Sequence, residues 1–351
     1  MKNDANDLTT IGQSIKNGST VAAFEIEFAR YVGARYAIAL CNGTATLHTA
    51  LAALGVKAGN TVAVPPLTMS ATTLAVLHAR AVPEYRDVDA ATWLMVDKGT
   101  ATQAMRFPPT ARMSVSLYGL HAGACDVDDA AETLRPHNAL ARFTSYSFQA
   151  SKILSTGEGG MLTTNDEALA TAAREFSSLG YRMRADEPRI APSVLKDPQY
   201  ERHHQIGYNY RMNDVTATQG LAQLAHADTL LRDRLTCAAY YRDAIKGCDW
   251  ITPQHVPDGH THDYWAYAVA CDTPRRALDL ATAVTRNGGE RPYGAWRLSY
   301  DEPALKHLKG NANCPNAESL QPRLMQFQTN NIRSAITNAT ALVAAIKELA
   351  D

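Results

Sequence analysis

Three short stretches of this chain place reactive residue types where an α/β sheet would present them. At Asn42-Gly43-Thr44 a tight turn separates an apolar run from a helical one. The backbone N–H groups of a helix start and the positive end of its dipole suit such a turn to a phosphate, and Gly43 allows close approach. At Ser147 to Lys152 a lysine follows the end of a β-rich run and precedes Gly157-Glu158-Gly159-Gly160. Burial at such a sheet end favours the free amine that imine chemistry needs. At Asp126 to Ala131, strand alternation puts Val127 and Asp129 on one face and Asp126 and Asp128 on the other. Asp129 is then expected to point inward while its neighbours meet solvent. An inward carboxylate needs a cationic partner, and a protonated pyridine nitrogen is one. Taken singly, each stretch has a plainer reading: a simple strand-to-helix turn, a solvated lysine, and an acidic loop or a divalent-metal site.

The elements that must position these residues follow from periodicity. VAAFEIEFARYVG reads as a helix ending at Gly33, Tyr36 to Leu40 as a buried strand, and ATLHTALAALG as a helix closed by Gly55, so the first stretch is strand, turn and helix. TVAVPP is a strand, Ser70 to Arg80 a helix and AVPEYRDVD a strand. After a less regular stretch from Asp97 to Arg112 come three further strands, RMSVSLYG, ACDVDDAA and ARFTSYSF. The three prolines between Glu187 and His204 predict a long loop, and RMNDVTATQGLAQLAHADTLLRDRLTCAAYYRDAI one long helix or a broken pair that links two domains. Beyond it, HDYWAYAVACD is strand-like, RRALDLATAVTRNG helical and NNIRSAITNATALVAAIKELA a terminal helix. The expected architecture is an α/β large domain over residues 1–235, three-layered around a mostly parallel sheet, with a small α+β domain over 236–351.

The length of 351 residues suits two domains. Lys and Arg number 34 against 35 Asp and Glu, so no net basic field exists to hold nucleic acid or an anionic membrane. No apolar run reaches the roughly 18 residues of a membrane span, and the start, MKNDANDLTT, lacks the features of a signal peptide, which predicts a cytoplasmic protein. The six scattered cysteines form no CxxC pair, so neither a zinc knuckle nor a disulfide framework is expected. The histidine-rich HVPDGHTHD lacks the HExxH register, and no metal is expected. Neither GxxxxGK[ST] nor GxGxxG occurs, which sets ATP and NAD aside.

A phosphate turn, an imine-forming lysine and a pyridinium carboxylate are together the three contacts pyridoxal phosphate requires. The chain resembles the DegT/StrS family of sugar aminotransferases, which are fold type I enzymes of that cofactor. The likeness runs through FEIEFARYVGARYAIALCNGTATLHTALAALG, VAVPPLTMSATTLAVLHARAVPEYRDVD, DDAAE, SYSFQASKILSTGEGGMLTTND and IGYNYRMNDVTATQGLAQL, most of the first 235 residues. It implies that Lys152 bonds the cofactor's aldehyde carbon and carries the proton, that Asp129 faces the pyridine nitrogen, and that Gly43, Thr44 and Ser147 bind the phosphate. It further implies a homodimer with shared sites, Asn209 reaching the cofactor phosphate of the neighbouring subunit. The implied reaction moves an amine from glutamate or glutamine to a keto-sugar, nucleotide-linked by the family's habit. The SFQASK and GEGG wording also resembles the branch acting on keto-cyclitols and amino-shikimate precursors, and a cofactor-binding protein without turnover is the other alternative. Three departures stand out. Met69 replaces an aromatic residue that stacks on the cofactor. Glu132 stands where Gln or His is usual. Gly119 to Asp128 leaves only LHAGACDV where the family has a crossover helix, although a parallel crossover normally takes a dozen or more residues. Either the helix is trimmed or the sheet is rearranged.

Overall fold

The computed structural model describes residues 19–96, 109–134, 136–186 and 190–350. Most of the irregular stretch expected after Asp97, and the polar start of the chain, lie outside them.

A seven-stranded sheet carries the first unit. In chain order its surroundings are α1 (Ser19–Val32), β1 (Tyr36–Leu40), α2 (Gly43–Ala53), β2 (Thr61–Val64), α3 (Ala71–His78), β3 (Val82–Tyr85), β4 (Ala111–Val115), β5 (Cys125–Asp129), β6 (Ala141–Ser147), β7 (Gly160–Thr164) and α4 (Glu167–Ser177). The strand order is β1-β7-β6-β5-β4-β2-β3, and only β7 runs against its neighbours. Side chains alternate between two covered faces. Ile38, Val62, Met113, Val127 and Leu162 meet Leu47 and Leu51 of α2 and Val76 of α3 on one face. Tyr146 and Met161 meet Phe24 and Phe28 of α1 on the other, the rings of Phe28 and Tyr146 edge to face at 5.1 Å. Losing the fully buried Phe28 ring would cost about 3–5 kcal/mol.

The segment expected as a loop before His204 contains a single helical turn, α5 (Pro192–Leu195). The long helical segment is a broken pair, α6 (Asp214–Leu224) and α7 (Ala227–Ala244). The break at Ala225-His226 lets α6 pack on α1 while α7 packs on the terminal helix. The second unit comprises β8 (Ile251–Pro253), β9 (Ala266–Cys271), α8 (Pro274–Arg286), β10 (Tyr293–Gly294), α9 (Pro315–Leu320), β11 (Leu324–Gln328) and α10 (Ile332–Ala350). Its antiparallel sheet has the order β10-β11-β9-β8. Thr273 caps α8 by accepting the Arg276 N–H at 3.2 Å, and Pro274 occupies the first turn, where its missing N–H costs nothing.

The short crossover is a trimmed one, and the sheet is intact: β4 and β5 pair in parallel, Met113 opposite Val127. Instead of a helix, the chain turns through Leu117–Gly119, with Tyr118 at φ 59° and Gly119 at φ 105°, and comes back extended. That return leg takes its backbone bonds from the second unit. The His121 N–H donates to Thr261 O at 3.1 Å and the Asp263 N–H to Gly119 O at 2.8 Å. Gly119 is required here twice over, because a Cβ would lie 2.7 Å from the Tyr264 nitrogen. Asn138 closes the leg, donating to Ala122 O and Gly123 O, both at 3.1 Å. The sheet face beneath carries polar residues to match. Arg112 pairs with Asp126, and Asp128 is bound by Ser116 and Asn138.

Candidate active site

The phosphate turn is built by its own cap. Asn42 Oδ1 accepts the Ala45 N–H at 2.8 Å, which starts α2 immediately after β1. The N–H groups of Gly43 and half-buried Thr44 are first-turn donors that the helix itself cannot satisfy. Ser147, the last residue of β6, stands against them: a Cβ on Gly43 would lie 2.9 Å from Ser147 Cβ and 3.2 Å from its hydroxyl. Gly160 opens the same corner from β7, since a Cβ there would lie 2.7 Å from the Asn42 carbonyl. A glycine cradle, two helix-start donors and a hydroxyl therefore converge at one sheet end.

Asp129 shares a face with Val127, as alternation requires, and is buried. Its Oδ2 accepts the Thr72 hydroxyl at 2.8 Å, and its Oδ1 accepts the Ala131 N–H at 3.4 Å. Burial raises its pKa, opposed by Thr72 and by the charge of Lys152. Asp128, expected to meet solvent, is only 1% exposed. Its Oδ1 accepts the Ser116 hydroxyl at 2.8 Å and its Oδ2 the Asn138 amide at 3.1 Å, because the return leg and the Asn138 loop cover the face that a helix would otherwise cover. Burial pushes its pKa up to about 6.

The Lys152 side chain is 15% exposed. Its Nζ lies 3.7 Å from Glu132 Oε1 and 4.7 Å from the centre of the Trp265 ring. Trp265 is held in place by its indole N–H, which donates to Ser151 O at 2.8 Å. Thr72, Trp265 and the lysine contact of Glu132 were not identified as site features from the sequence. The only prior signal was Glu132's departure from Gln or His. Met69, 51% exposed, stands just ahead of α3, its sulfur accepting the Ala71 N–H at 3.1 Å. Asn209 sits in a segment tied to the start of the phosphate turn, the Cys41 N–H donating to Tyr210 O at 2.7 Å. It is exposed beside Ser178, where Tyr210 N donates to Ser177 O at 3.0 Å, and it is flanked by Ile206 and Tyr208. His262 and Asp263 serve the protein framework: the His262 ring is 3.1 Å from Gln254 Oε1, and Asp263 Oδ2 accepts the Leu134 N–H at 2.8 Å.

The residues present fit pyridoxal phosphate. The cradle that a Cβ on Gly43 would fill can take the phosphate, the buried Asp129 carboxylate the ring nitrogen, and Lys152 the aldehyde. Bound there, the group supplies an electron sink for carbanion chemistry. With the group bound, the protein's part would be to hold that ring nitrogen protonated through Asp129, to orient the phosphate, and to present the Lys152 nitrogen as proton carrier.

Comparison with known proteins agrees. A family model for the DegT/DnrJ/EryC1/StrS aminotransferases matches residues 1–138 and 134–340. A GDP-perosamine synthase of Caulobacter vibrioides is 33% identical over 276 residues, 72% of this chain and 69% of the relative. A putative pyridoxal phosphate-dependent aminotransferase of Bacillus subtilis, EpsN, is 30% identical over 310 residues, 82% of this chain and 76% of its own. Among solved structures, an aminotransferase from Psychrobacter cryohalolentis superposes with a TM-score of 0.83 at 22% identity, over 100% of this chain and 98% of the other, which shows the shared fold. With a family model matched across nearly its whole length, this chain belongs to the DegT/DnrJ/EryC1/StrS aminotransferases, enzymes that work through pyridoxal phosphate.

Proposed function

We propose that this aminotransferase moves the amine of glutamate or glutamine onto the keto group of a nucleotide-linked sugar, with Lys152 as the cofactor-bonding lysine and proton carrier. Asp129 faces the ring nitrogen, and Gly43, Thr44 and Ser147 hold the phosphate. The observation that carries the choice of acceptor is a pocket of about 400 Å³ beside the lysine, lined by Trp265, Trp296, Tyr293, Gln326, Gln328 and Asn330 among others. Flat rings offer a surface to the C–H face of a sugar, and carboxamides offer both donors and acceptors to its hydroxyls. The two indoles lie nearly parallel, 6.0 Å apart at 21°, and Trp265 spans from this pocket to Lys152. Likeness to a GDP-perosamine synthase supports a nucleotide-linked acceptor.

The working unit in this reading is a homodimer with two shared sites, each completed by Asn209 of the other copy. The exposure of Asn209 and of its apolar neighbours Ile206 and Tyr208 supports that reading. The division into 1–235 and 236–351 is supported by a separate core that begins at Cys237, although Ala268, Tyr300 and Leu324 of the second part pack into the first core. No helix among the described residues is long and apolar enough to cross a membrane. The six free cysteines accord with a cytoplasmic location.

The test is a screen of keto-sugar nucleotides and keto-cyclitols for amino transfer from glutamate and glutamine, read by mass. An aminated nucleotide sugar supports the reading. Amination of free cyclitols alone would replace the acceptor, and a lysine-bound cofactor without turnover on any of them would defeat it.

A further inference from the structure

Lys152 has two buried carboxylates in its surroundings, and Asp129 is committed to Thr72 and to the ring nitrogen. The second, Glu132, lies three residues further along, in the turn after β5, and is 5% exposed. One of its oxygens is fixed: Oε2 accepts the Tyr118 N–H at 2.6 Å, and Tyr118 is held in the tight turn of the trimmed crossover. The other, Oε1, is turned toward Lys152 Nζ at 3.7 Å. The Trp265 ring lies against the same nitrogen. We propose that Glu132 is the proton partner of Lys152, taking a proton from the Nζ ammonium onto Oε1 so that the nitrogen becomes a free amine, and returning it when the nitrogen must be an acid.

One proton moves and no electrons change hands. An ammonium–carboxylate pair becomes an amine–carboxylic acid pair, with no change in net charge. That conservation matters in a buried site, where separated charge is expensive and a neutral pair is cheap. The nitrogen need come only about 1 Å closer for direct transfer, within the reach of a four-carbon side chain, or it can use one bridging water. Burial, with the nearby Asp129 charge, raises the Glu132 carboxyl's proton affinity, opposed by Lys152 and by the Tyr118 N–H. A glutamine at this position could hold the Tyr118 N–H but could not accept the proton.

This role presupposes that Lys152 is the reacting lysine, so the experiment reads the two separately. Cofactor-free protein is mixed with pyridoxal phosphate, and the bond to Lys152 is followed by absorbance, borohydride trapping and peptide mass. If the wild type traps nothing at Lys152, the lysine assignment itself fails. With trapping in the wild type, Glu132→Gln should form the bond about 100-fold more slowly at neutral pH, the lower end of general acid–base effects. Glu132→Asp should recover part of that rate. An unchanged or faster rate in Glu132→Gln would reduce Glu132 to a counter-charge, and equal slowing in Glu132→Asp would reduce it to a structural prop. Either result overturns the assignment.

Discussion

Replacing Gly43 with alanine separates cofactor binding from folding, because the two respond to the added methyl differently. Gly43 has an ordinary helical backbone at the first position of α2, so alanine adds helix propensity there, up to about 1 kcal/mol. Against this, the new Cβ would meet Ser147 Cβ at 2.9 Å, well inside the roughly 3.5–4.0 Å at which carbon atoms rest. Ser147 ends β6 opposite Gly160 of β7 and cannot retreat freely. Overpacking of this kind costs about 1–3 kcal/mol, so the net loss of stability is about 0–2 kcal/mol. Cofactor binding loses more in proportion. In the proposed site the methyl would intrude where a phosphate would meet the Gly43 and Thr44 N–H groups, and one charge-assisted hydrogen bond is worth about 1.5–3 kcal/mol. Affinity should therefore fall roughly 10- to 150-fold. Cofactor titration by absorbance and thermal melts with and without cofactor measure both quantities. The double variant Gly43→Ala/Ser147→Gly should recover packing without recovering the serine hydroxyl, so stability returns further than affinity does. Wild-type affinity in Gly43→Ala would refute the phosphate site.

Asp129→Asn should sharply reduce transamination because a neutral side chain cannot hold the pyridinium proton, whereas Asp128→Asn should act on the pH dependence of folding. Asp128, raised from 3.8 to about 6, binds its proton more tightly folded than unfolded, so its contribution is fully present below about pH 4 and is lost as pH rises through about 6. Removing that loss is worth about 3 kcal/mol at most, and denaturant titrations at pH 4 and pH 7 should show a smaller difference in the variant than in the wild type. If the difference stays the same, Asp128 is not the group responsible. Trp265→Phe retains a ring beneath Lys152 but loses the bond to Ser151 O, so it should weaken acceptor binding more than cofactor binding, by about 1 kcal/mol. Separate KM and occupancy measurements check this, and equal losses in both would argue against it. Sedimentation of the holo-protein at micromolar concentration should give a dimer. A fully loaded monomer would remove Asn209 from the site.

Local signals made much of this architecture legible. The strand, turn and helix over Tyr36 to Ala53 are punctuated by Asn42 and ended near Gly55, and both markers act within a few residues of what they mark. Period-two alternation correctly put Asp129 and Asp128 on opposite faces, but it could not report what lies over each face. Asp128 is buried by Ser116 and Asn138, and Asn138 belongs to a loop that no periodicity describes. Trp265 reaches Ser151 across 114 positions, so its placement beside the lysine had no local trace. Trimming and rearrangement of the crossover were likewise indistinguishable in sequence, because the partner of the return leg is the distant Thr261 to Asp263 segment.

That pairing also sets an order of events during synthesis. The Gly119 carbonyl and the His121 N–H sit between two sheet strands about a third of the way along the chain, yet the residues that satisfy them, Asp263 and Thr261, are made much later. Until the ribosome has passed Asp263, a sheet already holding β4 and β5 would leave these polar groups without partners in the protein, a cost that disfavours early closure. A nascent chain of the first half should thus remain open to chaperones and proteases, with protection arriving in one late step. Arrested chains ending at residue 250 and at residue 300, compared by limited proteolysis, should differ sharply around Leu117 to Gly123.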